Sequence, residues 1–119
     1  MTKTTPGPTG LRVLLADTAP LHTLAEVVDL VGNASYQGVA WVAVPADLLP
    51  GDFFRLRTGF AGEVMQKFVN YRVGLAVIGD ISAHTDAGTA LSDLVRESNA
   101  GTQVWFLPDL ETLEGRLGR

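Results

Sequence analysis

The chain has 119 residues, of which 13 are acidic and 9 are basic, so its formal net charge is −4, and it contains no cysteine. The lack of cysteine excludes disulfides, thiol nucleophiles and cysteine-based metal sites. The negative net charge argues against nucleic-acid binding through phosphate contacts. The absence of a Lys/Arg cluster argues against a lipid-surface role. No apolar run reaches the roughly 18 residues of a membrane span. We therefore expect one cytoplasmic domain.

The N-terminal segment, residues 1–10, carries two prolines, two glycines and one lysine, without an apolar stretch. This composition predicts a short disordered arm, and not a secretory signal. Residues 11–16 form the first apolar run that is typical of a strand.

A first helical pattern begins at Pro20, because apolar residues then recur at the spacing of one helix face. The members of this face are Leu21, Leu24, Ala25, Val28 and Val31. The helix would end at Gly32-Asn33 or at Gly38.

The rest of the chain alternates strands and helices. The strands are predicted at 39–44, 73–78 and 103–107, and the helices at about 59–71, at 87–98 and over Leu110, Leu113 and Leu117, with Asp109 as the N-cap. Trp41 and Trp105 stand in the middle of strands and are predicted to be core residues.

This order of elements predicts an α/β fold in a single domain covering residues 11–119. Three of the strands are continuous apolar runs, which is typical of strands buried on both faces. The simplest arrangement is a four- to five-stranded, mainly parallel sheet covered by about four helices.

Four segments resemble an uncharacterised bacterial domain family, domain of unknown function number 4180. They are residues 32–38, 52–63, 66–72 and 97–101, and the resemblance spans roughly residues 21–117. The resemblance implies a family but no activity.

The layout is also similar to the STAS domain of sulfate transporters and anti-sigma factor antagonists. In such domains a strand leads through a loop to a helix that starts with Ser-Gly or Thr-Gly, and phosphorylation of that Ser or Thr by a partner kinase controls binding. Thr58-Gly59 stands at the matching place, which implies a regulatory role. The chain departs from the pattern twice. Arg57 replaces the usual acidic residue, and the proline-containing residues 4–8 are not expected to form the first of two paired strands.

Thr58-Gly59 is the first candidate site. A helix start offers unpaired N–H groups and a positive dipole end, which favour an anion or a phosphorylated side chain. Arg55 and Arg57 are suited to pairing with phosphate or carboxylate. In the simpler interpretation, which we favour for Thr58, the threonine only caps the helix. The arginines alternate with apolar residues, which predicts one buried and one charged face.

Aspartates follow the predicted strands, at Asp17, Asp47, Asp80 and Asp109. Ligands of open parallel sheets bind outside the carboxyl ends of the strands, but aspartate there is more often a turn or cap residue. We favour caps and predict no metal site.

Asp80, Ser82 and His84 form the group best suited to chemistry, since histidine titrates near neutral pH. A Ser-His-Asp triad is disfavoured, because the chain lacks a Gly-x-Ser-x-Gly turn. Glu63 is a further acid or base candidate, although a surface pair with Lys67 at i,i+4 also explains it.

Asn33 and Ser35 form a second candidate surface at the end of the first helix. Gly32-Asn33 suits a left-handed cap, and Tyr36 is expected to pack back against the helix.

Our leading hypothesis is a non-enzymatic regulatory or protein-interaction module. Thr58 would be the switch or cap, Arg55 and Arg57 the anion contacts, and the partner another protein or a second copy of the chain. We expect neither a nucleic acid nor a membrane as partner, and no cofactor.

The alternative is a small enzyme or small-ligand-binding protein of a bacterial biosynthetic pathway. It would use the crevice at the strand ends, with Asp80, His84 and Glu63 as acid and base candidates and Arg57 as an anion clamp.

Overall fold

A computed structural model of the chain describes residues 2–6, 12–17, 19–86 and 88–118, and the side chains from Val13 onward. Leu11 and Ala87, which the sequence places in the first strand and the third helix, lie outside this part. The five strands are β1 (Thr2–Pro6), β2 (Arg12–Ala16), β3 (Trp41–Pro45), β4 (Gly74–Ile78) and β5 (Val104–Leu107).

Six α-helices lie in the described part of the chain: α1 (Leu24–Tyr36), α2 (Gly51–Phe54), α3 (Phe60–Asn70), α4 (Ser82–Thr85), α5 (Thr89–Ala100) and α6 (Leu110–Leu117). The four longer helices are the predicted ones, and α2 and α4 are single turns in connecting segments. Two 3-10 turns, Ala46–Leu48 and Leu56–Thr58, complete the connection after β3. Within these residues no helix has both the length and the apolar character needed to cross a membrane.

The sheet has the order β1-β2-β3-β4-β5, with β1 antiparallel to β2 and the other neighbours parallel. This confirms the predicted α/β fold with a mainly parallel sheet. Parallel strands added in one direction through right-handed crossovers place their helices on one face. Accordingly, apolar residues of α1, α3 and α5 share one core cluster with one side of the sheet, and those of α6 share a second cluster with the other side.

The expectation of a disordered N-terminal arm is wrong for Thr2–Pro6. These residues form β1, with Thr2 opposite Ala16 and Pro6 opposite Arg12. The prolines did not prevent this, because Pro6 is the last residue of an edge strand, where a missing N–H is tolerated. Residue 1 and residues 7–10 of the expected arm lie outside the described residues.

A capping box fixes the start of α1 later than predicted. The hydroxyl of Thr23 accepts the N–H of Glu26 at 3.2 Å, and the Glu26 carboxylate accepts the N–H of Thr23 at 2.9 Å. The buried face consists of Val27, Leu30, Val31 and Ala34. The predicted face was therefore wrong at Ala25, which is exposed, and right at Val31.

Of the two predicted ends of α1, the structure confirms Gly38 and not Gly32-Asn33. The helix continues through Gly32 and Asn33 to Tyr36, and Gly38 (φ +74°) supplies the left-handed residue beyond it. Gly32 serves packing instead, since a Cβ there would lie 3.6 Å from Cε2 of Tyr71. Tyr36 does not pack back, because it is 93% exposed.

The α6 side of the sheet is organised by a pair of tryptophans. The Trp41 ring on β3 crosses over Gly74 of β4 and stacks on Trp105 of β5, with ring centroids 4.2 Å apart and an interplanar angle of 23°. Arg116 of α6 lies over the Trp105 ring at 4.0 Å. Both indoles are buried, as predicted for core residues.

The outer edge of β5 is closed by a side chain of α5. Asn99 donates its amide N–H to the carbonyl of Phe106 at 3.1 Å and accepts the N–H of Phe106 at 2.7 Å. The amide thus makes the pair of bonds that a further strand would make. Arg116 donates to the Asn99 carbonyl at 2.7 Å and connects α6 to this position.

We predict that Gly74→Ala destabilises the protein by about 1–3 kcal/mol, because the added methyl overlaps the Trp41 indole in a close-packed layer. Urea unfolding followed by tryptophan fluorescence measures this. Gly62→Ala is the matched control: it lies in α3 with open space around its Cβ, and it should be neutral or stabilising by about 0.5–1 kcal/mol. Equal midpoints for the two variants would contradict the packing role of Gly74.

We predict that Asn99→Ala lowers stability by about 1–3 kcal/mol, because Phe106 loses both partners at a partly buried edge. Light scattering at rising protein concentration should also show more self-association than in the wild type, since an open strand edge pairs readily. Asn33→Ala, which changes an exposed helical asparagine, should leave self-association unchanged and stability unchanged or slightly higher.

Candidate functional site

Three connections meet at the carboxyl edge of the parallel strands. They are residues 46–59 after β3, 79–86 after β4, and 108–109 after β5. In parallel sheets this is the edge where ligand sites form. Three crevices open there, with volumes of about 450, 410 and 420 Å³.

The segment 51–59, which we name the arginine turn, is held together by the hydroxyl of Thr58. Its single hydrogen is shared between the carbonyls of Asp52 and Arg55, at Oγ1–O distances of 2.8 and 2.9 Å. The same Oγ1 accepts the N–H of Phe60 at 3.2 Å. Gly59 occupies the N-cap position of α3 in a left-handed conformation (φ +80°). The prediction that Thr58 is the N-cap is therefore wrong, because Gly59 holds that position; Thr58 stands one residue earlier and connects α2 to the first residue of α3.

The two arginines of the arginine turn point to solvent. Arg55 and Arg57 are exposed, whereas Phe54 is buried and Leu56 is half-buried, in agreement with the alternation read from the sequence. The Arg55 guanidinium lies 3.9 Å from the Asp52 carboxylate, a contact of little energetic weight at an exposed position. Arg57 forms no ion pair with any residue in the described part of the chain.

A stacked ring pair joins the arginine turn to the loop after β4. The His84 imidazole lies on the Phe54 ring with centroids 4.0 Å apart and an interplanar angle of 9°. The crevice of about 410 Å³, which we name the cationic cavity, opens beside this pair. It is lined by Phe54, Arg55, Leu56, Arg57, His84, Gly88, Ala90 and Leu91.

A second crevice, the aspartate crevice, contains three of the four predicted strand-end aspartates. Asp47, Asp80 and Asp109 line its volume of about 450 Å³. Two of them cap neighbouring backbone, as favoured from the sequence. Asp80 accepts the Ser82 N–H at 2.9 Å, and Asp109 accepts the N–H and hydroxyl of Thr112 at 2.8 and 2.7 Å.

These bonds set the ionisation of the two carboxylates. The Thr112 hydroxyl, followed by the Thr112 N–H, lowers the pKa of Asp109 below its ordinary value. The Ser82 N–H, followed by the Ser82 hydroxyl, lowers the pKa of Asp80. Hydrogen bonds to the charged form account for both shifts. Both groups are held as carboxylates, a state that suits an acceptor and not a proton donor.

The acid, base and clamp set of the enzyme alternative is divided between crevices. Arg57 and His84 line the cationic cavity, Asp80 lines the aspartate crevice and a third crevice shared with Ser82, and Glu63 lines none of the three. Asp80 is bonded to Ser82, and His84 is stacked on Phe54, so the geometry does not assemble a triad.

The predicted pair of Glu63 and Lys67 is wrong as an ion pair. The ion pairs found within the described residues are Asp52–Arg55 and Asp93–Arg96. Glu63 is an exposed residue in the first turn of α3, where the helix dipole favours its charge.

Asn33 and Ser35 lie away from the other candidates. Because α1 connects the end of β2 to the beginning of β3, its last turn lies at the amino edge of the parallel strands. The structure therefore does not bring these two residues together with Thr58 or Asp80.

Among the described residues no group of three or more His, Asp or Glu side chains is arranged to hold a metal ion. Within the same residues, no polar or charged side chain is fully buried. The polar side chains described at the carboxyl edge of the sheet are therefore hydrogen-bonding and charged groups that are at least partly exposed to solvent.

Sequence reasoning did not assign to the site the apolar and glycine residues that complete the cationic cavity, namely Phe54, Leu56, Gly88, Ala90 and Leu91. These residue types carry no chemical signal of their own. A signal that the sequence did contain, the Thr-x-x-Glu spacing at Thr23 and Glu26, marks the start of α1 and not the site.

The fold and this edge define an α/β domain with an antiparallel N-terminal strand and three crossover helices on one face. The sequence pattern of the family described as a domain of unknown function, DUF4180, matches residues 9–117. The chain belongs to that family, as the resemblance had implied. No curated protein and no solved structure matches the chain.

We predict that acid weakens the fold in part through Asp109. Because its folded-state pKa is lowered, its stabilisation is complete above the unfolded-state pKa of about 4 and is lost as pH falls through the lower, folded-state value. Asp109→Asn keeps an N-cap acceptor but removes the titration. Between about pH 7 and about pH 3, the unfolding free energy of the variant should fall less than that of the wild type. Identical pH dependences in urea titrations would refute this assignment.

Proposed function

We propose that this domain is a non-enzymatic regulatory module that binds a protein partner through the arginine turn and the loop after β4. Thr58 acts as the switch. The observation that supports this most directly is the position of the Thr58 hydroxyl. It lies in an exposed turn, yet it bonds to Asp52, Arg55 and Phe60 at once.

Phosphorylation of Thr58 would remove its hydrogen bonding to both carbonyls. The phosphate ester has no hydroxyl hydrogen at Oγ1, so the one hydrogen shared between the carbonyls of Asp52 and Arg55 is lost, at about 0.5–1.5 kcal/mol in all. A charge of about −1.5 to −2 would enter beside two exposed arginines and the positive end of α3. The arginine turn would then refold around the phosphate and present a different surface to its partner.

The layout of the domain supports a STAS-like role. STAS domains usually begin with two paired strands, and here β1 and β2 are paired and antiparallel. Thr58-Gly59 immediately precedes α3, at the place of the phosphorylated pair in such domains. Arg57 in the position of the usual acidic residue indicates a kinase with a different preference.

We place the module in the bacterial cytoplasm, a setting that suits a cysteine-free chain. A homodimer joined along β1 is part of the same proposal, because an edge strand offers unpaired backbone groups. The alternative of a small-ligand site at the strand ends is supported by the volume of the aspartate crevice, about 450 Å³. This alternative has weaker support, because the carboxylates of Asp80 and Asp109 already accept hydrogen bonds from neighbouring residues.

The first test is mass spectrometry of the protein purified from its own cells. A phosphate mapped to Thr58 is expected. Crosslinking in those cells then identifies the proteins bound to the wild-type domain. The affinity of these proteins is measured for the wild type and for Thr58→Asp. We expect the affinity to change by about tenfold or more, because the charge alters the turn that contacts the partner.

Two controls separate the switch from general effects. Thr58→Ser keeps the hydroxyl and should bind as the wild type does. Thr102→Asp adds the same charge at an exposed threonine next to the start of β5, at the amino edge, and should also bind normally. Unmodified Thr58 in the cell, together with equal binding by Thr58→Asp, would overturn the proposal.

A further inference from the structure

We infer that the cationic cavity is a binding site for a phosphate monoester. The biological role of this site rests on the proposed function. The inference adds the chemistry of the group that the partner or ligand would present to the domain. Three side chains with donor or cationic character, Arg55, Arg57 and His84, line this one cavity of about 410 Å³.

The two guanidinium groups are available for a ligand. Arg57 has no ion pair with any described residue, and the ion pair of Arg55 is the 3.9 Å contact with Asp52. Guanidinium donors form a planar fork that matches the oxygens of phosphate, and such charge-assisted pairs are about twice as strong as neutral hydrogen bonds. The carboxylates of Asp80 and Asp109 are bonded elsewhere and line a different crevice, so they do not neutralise this pair.

The arginines are held in position by buried neighbours and do not sit on a free loop. Phe54 is buried and stacks on His84 and against the edge of Phe53, and the Thr58 hydroxyl fixes the carbonyl of Arg55. The side chains between which a ligand would bind therefore start from a fixed backbone, which lowers the ordering cost of binding.

The far wall of the cavity adds a weaker contribution. It is formed by Gly88, Ala90 and Leu91 at the start of α5, a helix of 12 residues whose N-cap makes no side-chain bond. The first N–H groups of a helix have no partner within the helix, and the dipole there favours negative charge.

These features select a phosphate monoester over a carboxylate. Two guanidinium forks and a helix start match the two negative charges and several acceptor oxygens of a dianion better than the single charge of a carboxylate. The volume of about 410 Å³ exceeds that of one phosphate group, so it leaves room beside the exposed His84 ring for part of the group that carries the phosphate.

The test is a titration of the full chain with phenyl phosphate at constant ionic strength, followed by amide and arginine side-chain NMR. Intact mass first shows that Thr58 is unmodified. We expect saturable shifts at Arg55, Arg57, His84 and Ala90, and a dissociation constant raised about tenfold or more by Arg57→Ala.

Arg96→Ala is the matched control, because it removes the same charge from an exposed position on α5 outside the cavity. It should leave the dissociation constant unchanged. Non-saturable shifts, or equal weakening by Arg57→Ala and Arg96→Ala, would show general electrostatic attraction and overturn the inference. Both results are independent of Thr58→Asp, so failure of the switch and failure of this site are distinguishable.

A second arm identifies the source of the phosphate. A short phosphothreonine peptide is titrated beside phenyl phosphate, with the unphosphorylated peptide as reference. Tighter binding of the phosphopeptide assigns the site to a phosphorylated protein. Equal or tighter binding of phenyl phosphate assigns it to a small phosphorylated molecule. Binding of the unphosphorylated peptide to the same residues with equal affinity would remove phosphate as the recognised group.

Discussion

The Trp41–Trp105 stack across Gly74 is the contact on which the α6 side of the molecule depends. All three crossover helices lie on the other face, and α6, with eight residues, is the helix that packs on this one. A bare glycine in β4 lets two indoles from its neighbouring strands meet above it, and such pairs contribute about 0.5–1.5 kcal/mol beyond their buried area. Arg116 lies on the stack and also donates to Asn99, so the same contact positions α6 and the edge of β5.

On the opposite face, a buried aromatic group supports an exposed polar one. Phe53 and Phe54 anchor the arginine turn in the core, and Phe54 carries His84 on its ring. The polar groups of the carboxyl edge are therefore not independent loops. Displacing Phe54 would move both arginines and the histidine together, which couples the two loops through packing. Within the arginine turn itself, the Thr58 hydroxyl adds hydrogen bonds to the carbonyls of Asp52 and Arg55.

The sequence predicted much of the fold, because apolar runs and helical spacing report burial directly. It located four strands and the four long helices, and it placed the arginines, Thr58, Asp80 and His84 in connections after strands. It failed for β1, whose pairing comes from β2 and not from its own composition. It also failed to group the site residues. Whether His84 joins Arg57 or Asp80 depends on a ring contact with Phe54, which has no signature in residue spacing. Gly32 was interpreted as a helix end because the approach of Tyr71 is a contact distant in sequence.

The side chain of Asn99 makes the two edges of the sheet unequal as places where another strand can pair. By satisfying Phe106 it closes the β5 side, and β1 is left as the edge at which another strand can add. Two copies joined edge to edge at β1 would form one continuous sheet with an asparagine at each outer margin. Because the N–H and C=O of Phe106 are already bonded at each outer margin, a third copy would find fewer free backbone groups there, and association of this kind is expected to end at two copies.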